Sequence, residues 1–265
     1  MNNLGYYYHT IENNYSQAEK YYLMAIDKGY MKSMRNLAEL YNHTMHNYTL
    51  AKKYYLMAIE NGDTNSMNNL GYYYEYKEFN KTLAVKYYIM GAQNGCSMSM
   101  NNLAYYYHHT KKDYQLAKKY YLLSIDKGCT KAMFNLGQYY NVIERNITLM
   151  KKYYEMAINN GYEKAMFDLG QYYQYTEYNY ELMIKYYKMA IDKNCINSMF
   201  FLGEYYNETV KDYKLMKYYY QMASNNGSFW AMFKLANYYK SIEKNTELMH
   251  QYFVMGFITQ YNLHN

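Results

Sequence analysis

Apolar positions along this chain of 265 residues return on a fixed step of 33. A leucine stands at Leu4, Leu37, Leu70, Leu103, Leu136, Leu169, Leu202 and Leu235. The residue after it is always small: Gly5, Ala38, Gly71, Ala104, Gly137, Gly170, Gly203 or Ala236. A methionine comes three before it, from Met1 to Met232, and a tyrosine four after it, from Tyr8 to Tyr239. Methionine, leucine, small residue and tyrosine therefore share one face of an α-helix, at i, i+3, i+4 and i+7. This is helix A. Its small residue marks where a neighbouring backbone is expected to come close.

The second half of each unit repeats the logic as helix B. In the third unit Ala84, Tyr87, Tyr88 and Gly91 hold the same spacing. The Tyr87 column is tyrosine throughout, from Tyr21 to Tyr252. The next column runs from Tyr22 to Tyr220 and closes with Phe253. Before helix B stand only asparagine or aspartate: Asn14, Asn47, Asn80, Asp113, Asn146, Asn179, Asp212 and Asn245. Both are favoured N-caps, because a short side-chain oxygen accepts an orphan backbone N–H. After helix B comes Gly29, Gly62, Gly95, Gly128, Gly161, Asn194 or Gly227, as a left-handed helix end requires.

Self-similarity at a period of about 20–50 residues signals stacked repeats. The prediction is an all-α array of eight 33-residue helix-turn-helix units. The units fall at roughly 1–29, 30–62, 63–95, 96–128, 129–161, 162–194, 195–227 and 228–265, as one array with no linker or second domain. Each unit buries its apolar face on its neighbours rather than in a single central core.

Composition refines this picture. The chain has 45 tyrosines and no proline. Tyrosine supplies a large ring and a hydroxyl that needs a partner, so the mean hydropathy of −0.64 is no sign of disorder. Three cysteines, Cys96, Cys129 and Cys195, share one register. Stacked helices lie about 8–10 Å apart and a disulfide needs Cα atoms within about 7 Å. Thiols and a reducing, cytoplasmic compartment are expected. No apolar run reaches the roughly 18 residues of a membrane span. Met1 already occupies the methionine column, so the first unit is expected to lack its opening half-turn. The last unit closes on Tyr252, Phe253, Met255, Phe257 and Ile258 with no capping helix after it, which predicts an exposed apolar end and self-association through it.

The residues Ser66, Leu70, Gly71 and Tyr74 in helix A, with Ala84, Tyr87, Gly91 and Gly95 in helix B, resemble the Sel1-like repeat, a branch of the tetratricopeptide superfamily. The resemblance covers the whole chain. It departs in the loop between the helices, Glu75 to Phe79, which is short and lacks the Gly-x-Gly that such units usually carry. The resemblance implies a right-handed α-solenoid acting as an adaptor or scaffold for protein complexes, with helix A residues lining a concave groove. Some bacterial relatives carry a disulfide in each unit, a pattern these three cysteines do not fit.

Within that expectation, the column after the methionine changes character midway. It reads Asn2, Arg35, Asn68, Asn101, then Phe134, Phe167, Phe200, Phe233. The next column includes Tyr72, Tyr105, Gln138 and Gln171, and a third reads His9, Asn42, Glu75, His108, Asn141, Gln174, Asn207, Lys240. One reading is a groove for a protein or peptide partner, polar and tyrosine-rich in its first half and floored by phenylalanine in its second. The other is that the four phenylalanines pack between adjacent A helices. A neighbouring asparagine column, Asn3, Asn36, Asn69, Asn102 and Asn135, continued by Asp168, is expected to bridge to adjacent backbone.

Helix B carries Lys20, Lys53, Lys86, Lys119, Lys152 and Lys185, widened by Lys52, Lys118 and Lys151. These form a ridge for nucleic-acid phosphates or an anionic surface, or a solvated face with lysine stems over tyrosine rings. The net charge of +6 and the nearby Asp27, Glu60, Asp126 and Asp192 favour the second. His43, His46, His108 and His109 lack the ligand spacing of a zinc site and read as surface histidines. No phosphate loop, nucleophile elbow or HExxH appears. The expectation is a non-enzymatic protein without metal or cofactor. Hydrolase activity, claimed for some relatives of the resembled family, is the remote alternative.

Overall fold

The computed structural model describes residues 1–264. Among them are sixteen α-helices and no strand. The chain divides into two compact units, Met1–Ile143 and one from Glu144 onward. The first holds α1 (Asn2–Thr10), α2 (Tyr15–Asp27), α3 (Lys32–Glu39), α4 (Tyr48–Glu60), α5 (Thr64–Tyr76), α6 (Lys81–Gln93), α7 (Ser97–Tyr106), α8 (Tyr114–Asp126) and α9 (Thr130–Val142). The second holds α10 (Ile147–Asn159), α11 (Glu163–Tyr175), α12 (Tyr180–Ile191), α13 (Ile196–Tyr205), α14 (Tyr213–Asn225), α15 (Phe229–Ser241) and α16 (Thr246–His264). Odd-numbered helices are A helices and even-numbered ones are B helices.

The caps form as the sequence dictates. All eight N-cap side chains accept the backbone N–H three residues on, at 3.0–3.2 Å. Each helix B of the first seven repeats ends on a left-handed residue, six glycines with φ of 77–90° and Asn194 with φ 62°. Gly62 N–H donates to the Ile59 carbonyl and Asp63 N–H to the Ala58 carbonyl, both at 2.9 Å, closing the orphan carbonyls.

The loop from helix A to helix B is less expected. The residue before every N-cap is left-handed, and none is glycine: Asn13, His46, Phe79, Lys112, Arg145, Tyr178, Lys211 and Lys244, with φ of 51–62°. In three repeats helix A also widens into a π-turn, at Leu40–Thr44, Tyr107–Lys111 and Tyr206–Val210.

Two tyrosine columns build the core. The helix A tyrosine stacks on the first helix B tyrosine of its own repeat in Tyr8/Tyr21, Tyr41/Tyr54, Tyr74/Tyr87, Tyr107/Tyr120, Tyr173/Tyr186, Tyr206/Tyr219 and Tyr239/Tyr252. Their centroids lie 5.4–5.8 Å apart, within 20° of parallel. The second helix B tyrosine is buried, and its ring is what presses first on the small residue. A Cβ added at Gly5, Gly71, Gly170 or Gly203 would come within 2.5–2.7 Å of Tyr22, Tyr88, Tyr187 or Tyr220. The expected close backbone approach accompanies the ring at Gly71, where the Ala84 carbonyl oxygen lies 3.2 Å from the added Cβ.

One further expectation is corrected. His108 is not a surface histidine; it is buried. The thiols of Cys96 and Cys129 are buried and that of Cys195 is half-buried, all free, where they occupy the N-cap positions of α7, α9 and α13 without capping them.

Candidate interaction groove

The asparagine column does not bridge to backbone. Its amides donate to side chains of the preceding repeat. Asn36 Nδ2 donates to Asn2 Oδ1 at 3.0 Å, Asn69 to Glu39 Oε1 at 2.8 Å, Asn102 to Asn68 Oδ1 at 2.9 Å, and Asn135 to Asn101 Oδ1 at 2.9 Å. Within a repeat the neighbouring amides also join, Asn68 to Asn69 at 3.4 Å and Asn101 to Asn102 at 3.3 Å. The result is one row of linked carboxamides from Asn135 to Asn69, ending on the Glu39 carboxylate. Arg35 closes that end, 3.9 Å from Glu39 and 2.9 Å from Asp63. Burial holds the Glu39 carboxyl above its usual range against the opposing pull of Arg35 and Asn69.

Above this row lies a cleft of about 300 Å³, lined by Asn68, Tyr72, Tyr76, Asn101, Asn102, Tyr105 and Asn135 with Glu75, Tyr88, Met98 and Lys131. The structure thus brings together the predicted Tyr72 and Tyr105, both about half exposed. Each is backed by an aromatic one turn on. Tyr72 lies 4.3 Å from Tyr76, and Tyr105 lies 4.1 Å from His109. Sequence reading missed these backing rings, although their i+4 spacing was available as a signal.

The third groove column has an internal duty. Glu75 Oε2 accepts the buried Tyr88 hydroxyl at 2.7 Å, Gln174 Oε1 accepts that of Tyr187 at 2.7 Å, and His108 Nδ1 lies 3.5 Å from that of Tyr121. In the seventh repeat Glu204, from the second column, accepts the Tyr220 hydroxyl. Burial first, and the partner carboxylate second, push the Tyr88 and Tyr220 phenols up. Desolvation, with smaller contributions from His109 and Lys112, lowers His108 to about 4.

The phenylalanines sit on the tyrosine layer. Phe134 is buried in α9, and Gln138 is half-buried beside it. In the second unit Phe167 lies 5.9 Å from Tyr187 and 5.5 Å from Phe201, and Phe200 lies 5.8 Å from Tyr220. Phe233 contacts Phe253 and Phe257 at 5.7 and 5.4 Å. Phe167, Phe200, Phe233 and Gln171 are all half-buried, so each phenylalanine packs and still shows one face.

The six ridge lysines are exposed. Lys53, Lys152 and Lys185 lie 5.4–5.6 Å over the neighbouring Tyr54, Tyr153 and Tyr186 rings. The lysines one position earlier turn inward as clips between repeats. Lys52 reaches Glu78 at 3.2 Å, Lys151 reaches Glu177 at 2.6 Å and Lys217 reaches Glu243 at 2.6 Å. Lys52 and Lys151 therefore do not widen the ridge. Among the described residues no three His, Cys, Asp or Glu side chains are placed to hold a metal ion, and no helix is long and apolar enough to cross a membrane.

Comparison with known proteins meets this geometry repeat by repeat. The family model of the Sel1 repeat matches seven times, at residues 1–30, 32–63, 64–96, 97–129, 130–162, 163–195 and 196–228. Helices α15 and α16 lie beyond the seventh match but keep its register through Leu235, Tyr239 and Asn245. A Sel1 repeat protein from Oxalobacter formigenes superposes with a TM-score of 0.66 at 21% identity, covering 83% of this chain and 98% of that one. The protective antigen c5321 of uropathogenic Escherichia coli strains, with an SLR fold, gives 0.65 at 21% identity over 96% of this chain and 60% of its own length. Yeast Tom70 gives 0.63 at 14% identity over 97% of this chain and 61% of that one. No curated protein matches the sequence. With seven matched units on the helices that carry the linked asparagines and the stacked tyrosines, the chain belongs to the Sel1 repeat family.

Proposed function

We propose that this chain is a non-catalytic protein-interaction scaffold, and that the helix A face of repeats three to five takes a segment of a partner protein. Sel1 repeat proteins act in general as interaction scaffolds, and one observation favours this cleft in particular. Tyr72 and Tyr105 stand half exposed over a preformed row of carboxamides, in a cleft large enough for a side chain or two. Rigid aromatic anchors beside adaptable amides are the composition of protein-binding surfaces. In the second unit the open faces of Phe167, Phe200 and Phe233, with Gln171, extend the same role to an apolar surface. Phe134 and Gln138 hold the equivalent positions in α9.

The test is affinity capture after nuclease treatment, with the wild-type chain beside a Tyr72→Ala, Tyr105→Ala variant and a Phe167→Ser, Phe200→Ser variant. Protein partners that survive nuclease and are lost with either folded variant support the reading. A complex that nuclease abolishes, and that Lys53→Glu with Lys119→Glu weakens, would replace it with binding to nucleic acid by the helix B lysines.

A further inference from the structure

The cleft over repeats three and four differs from the rest of the helix A face in ways that narrow its ligand. The inference here rests on the scaffold reading of the same cleft. A carboxamide has two N–H donors and an oxygen with two acceptor positions. Asn101 and Asn135 are buried, but Asn68 and Asn102 are only half-buried. Asn102 gives one N–H to Asn68 and accepts one from Asn101, and Asn68 gives one to Asn69 and accepts one from Asn102. Each therefore keeps a donor and an acceptor in reserve while its orientation is fixed by its neighbours. A row of groups that both donate and accept matches a main chain, which offers N–H and C=O in alternation. The charged residues of the cleft are Glu75 and Lys131, and Glu75 already holds the Tyr88 hydroxyl. One cation does not make a site for a phosphate or a polyanion.

The rings supply the second half. Tyr72 and Tyr105 occupy the same register in adjacent A helices, and each is tilted against its i+4 partner by 36° and 38°. Propped in this way, they lose little freedom on binding. The pair is confined to these two repeats. The equivalent positions are Glu39 and His43 in repeat two, and Gln138 and Val142 in repeat five.

We infer that repeats three and four form a discrete site for an extended peptide segment carrying an aromatic side chain, whose main chain meets the asparagine row and whose ring enters between Tyr72 and Tyr105.

The experiment is a titration of the ¹⁵N-labelled full chain, followed through the side-chain carboxamide signals of Asn68 and Asn102. The probes are three capped peptides: Gly-Gly-Trp-Gly-Gly, its leucine analogue, and the tryptophan peptide with N-methylated glycines. The tryptophan peptide should shift these signals saturably. The leucine and N-methyl analogues should bind at least tenfold more weakly, and Tyr72→Ala with Tyr105→Ala, both on exposed rings, should cost tenfold or more. Equal binding of tryptophan and leucine peptides, shifts confined to other residues, or no saturable shift overturns the inference. Capture of protein partners that is indifferent to the tyrosine variant overturns it too, while leaving the scaffold reading in place.

Discussion

A tyrosine buried in a helix pair needs room for its ring and a partner for its hydroxyl; the hydroxyls of Tyr22 and Tyr55 are buried without one, and later repeats supply one in different ways. The hydroxyl partner is Glu75 for Tyr88 and Gln174 for Tyr187, but the neutral imidazole of His108 for Tyr121. His108 is held at about 4, below the roughly 6.5 of a free histidine. A lowered histidine favours the folded state fully above the unfolded value. That contribution drains away as pH falls from about 6.5 through about 4, because the unfolded chain takes up the proton first. We therefore expect the urea midpoint of the wild type to fall between pH 7 and pH 4.5 by the equivalent of about 2 kcal/mol. In His108→Gln, which copies the sixth repeat, that fall should be markedly smaller. Equal acid sensitivity of the two proteins would remove His108 from the account. Room for the ring is tested at Gly71, where an added Cβ would sit 2.7 Å from Tyr88. Ala38 and Ala104 fill the same column, so Gly71→Ala should cost less than about 1 kcal/mol by a small ring shift. Gly71→Val should cost about 1–3 kcal/mol by overpacking, read from urea unfolding.

At the scale of the element, the repeat was legible because its period fixes which residues share a face, and faces plus caps define a helix pair. Leu70, Tyr74, Asn80 and Gly95 do in the structure what their spacing says. What was not legible depends on the neighbouring repeat. The sequence shows an asparagine column but not whether Asn102 reaches backbone or the Asn68 side chain, and that is settled by the approach of one A helix to the next. Nor does any residue type announce the left-handed turn before helix B. Phe79, Arg145, Tyr178 and the three lysines there are ordinary residues forced positive in φ. The cap that follows compensates: Asn80 N–H donates to the Tyr74 carbonyl at 2.7 Å and its side chain accepts from Leu83. A left-handed non-glycine residue costs about 1–2 kcal/mol, part of which glycine returns as extra freedom in the unfolded chain. Phe79 is exposed and contributes little packing. Phe79→Gly is therefore expected to raise stability by about 0.5–1 kcal/mol, checked by urea unfolding. A loss of stability would show that the Phe79 ring makes contacts that outweigh its backbone strain.

Across the whole molecule the recurrent tyrosines act in the same direction under alkali. Burial raises the phenol of Tyr22 to about 12 and that of Tyr73 to about 12, against about 10 in the unfolded chain. Their contribution is intact below pH 10 and is lost as pH rises from 10 through 12, where the unfolded chain gives up protons that the folded one retains. Several repeats carry such phenols, so alkaline unfolding followed by circular dichroism should be steep. Ionisation seen at 295 nm should coincide with it rather than precede it.

The same molecule leaves one face of α16 uncovered. Phe253, Val254, Phe257, Ile258 and Tyr261 form a stripe at i, i+1, i+4, i+5 and i+8, all between 44% and 70% exposed. In the other B helices the matching stripe is met by the next A helix; Tyr220, equivalent to Phe253, is 1% exposed. Between Leu248 and His264 the helix carries no Asp, Glu, Lys or Arg to oppose contact. Contiguous apolar patches of this kind mark association surfaces. The 32.2 kDa chain should therefore show a mass that rises with concentration in sedimentation equilibrium. Val254→Lys with Ile258→Lys should hold it at the single-chain mass, with an unchanged far-ultraviolet spectrum. Helix α16 anchors on α15 through Tyr252, which stacks on Tyr239, and through one face of Phe253 and Phe257, which meet Phe233, so substitutions at Val254 and Ile258 test the stripe without dismantling the pair beneath it. A wild-type chain that stays at the single-chain mass at every concentration would show that the α16 stripe does not bind its own copy.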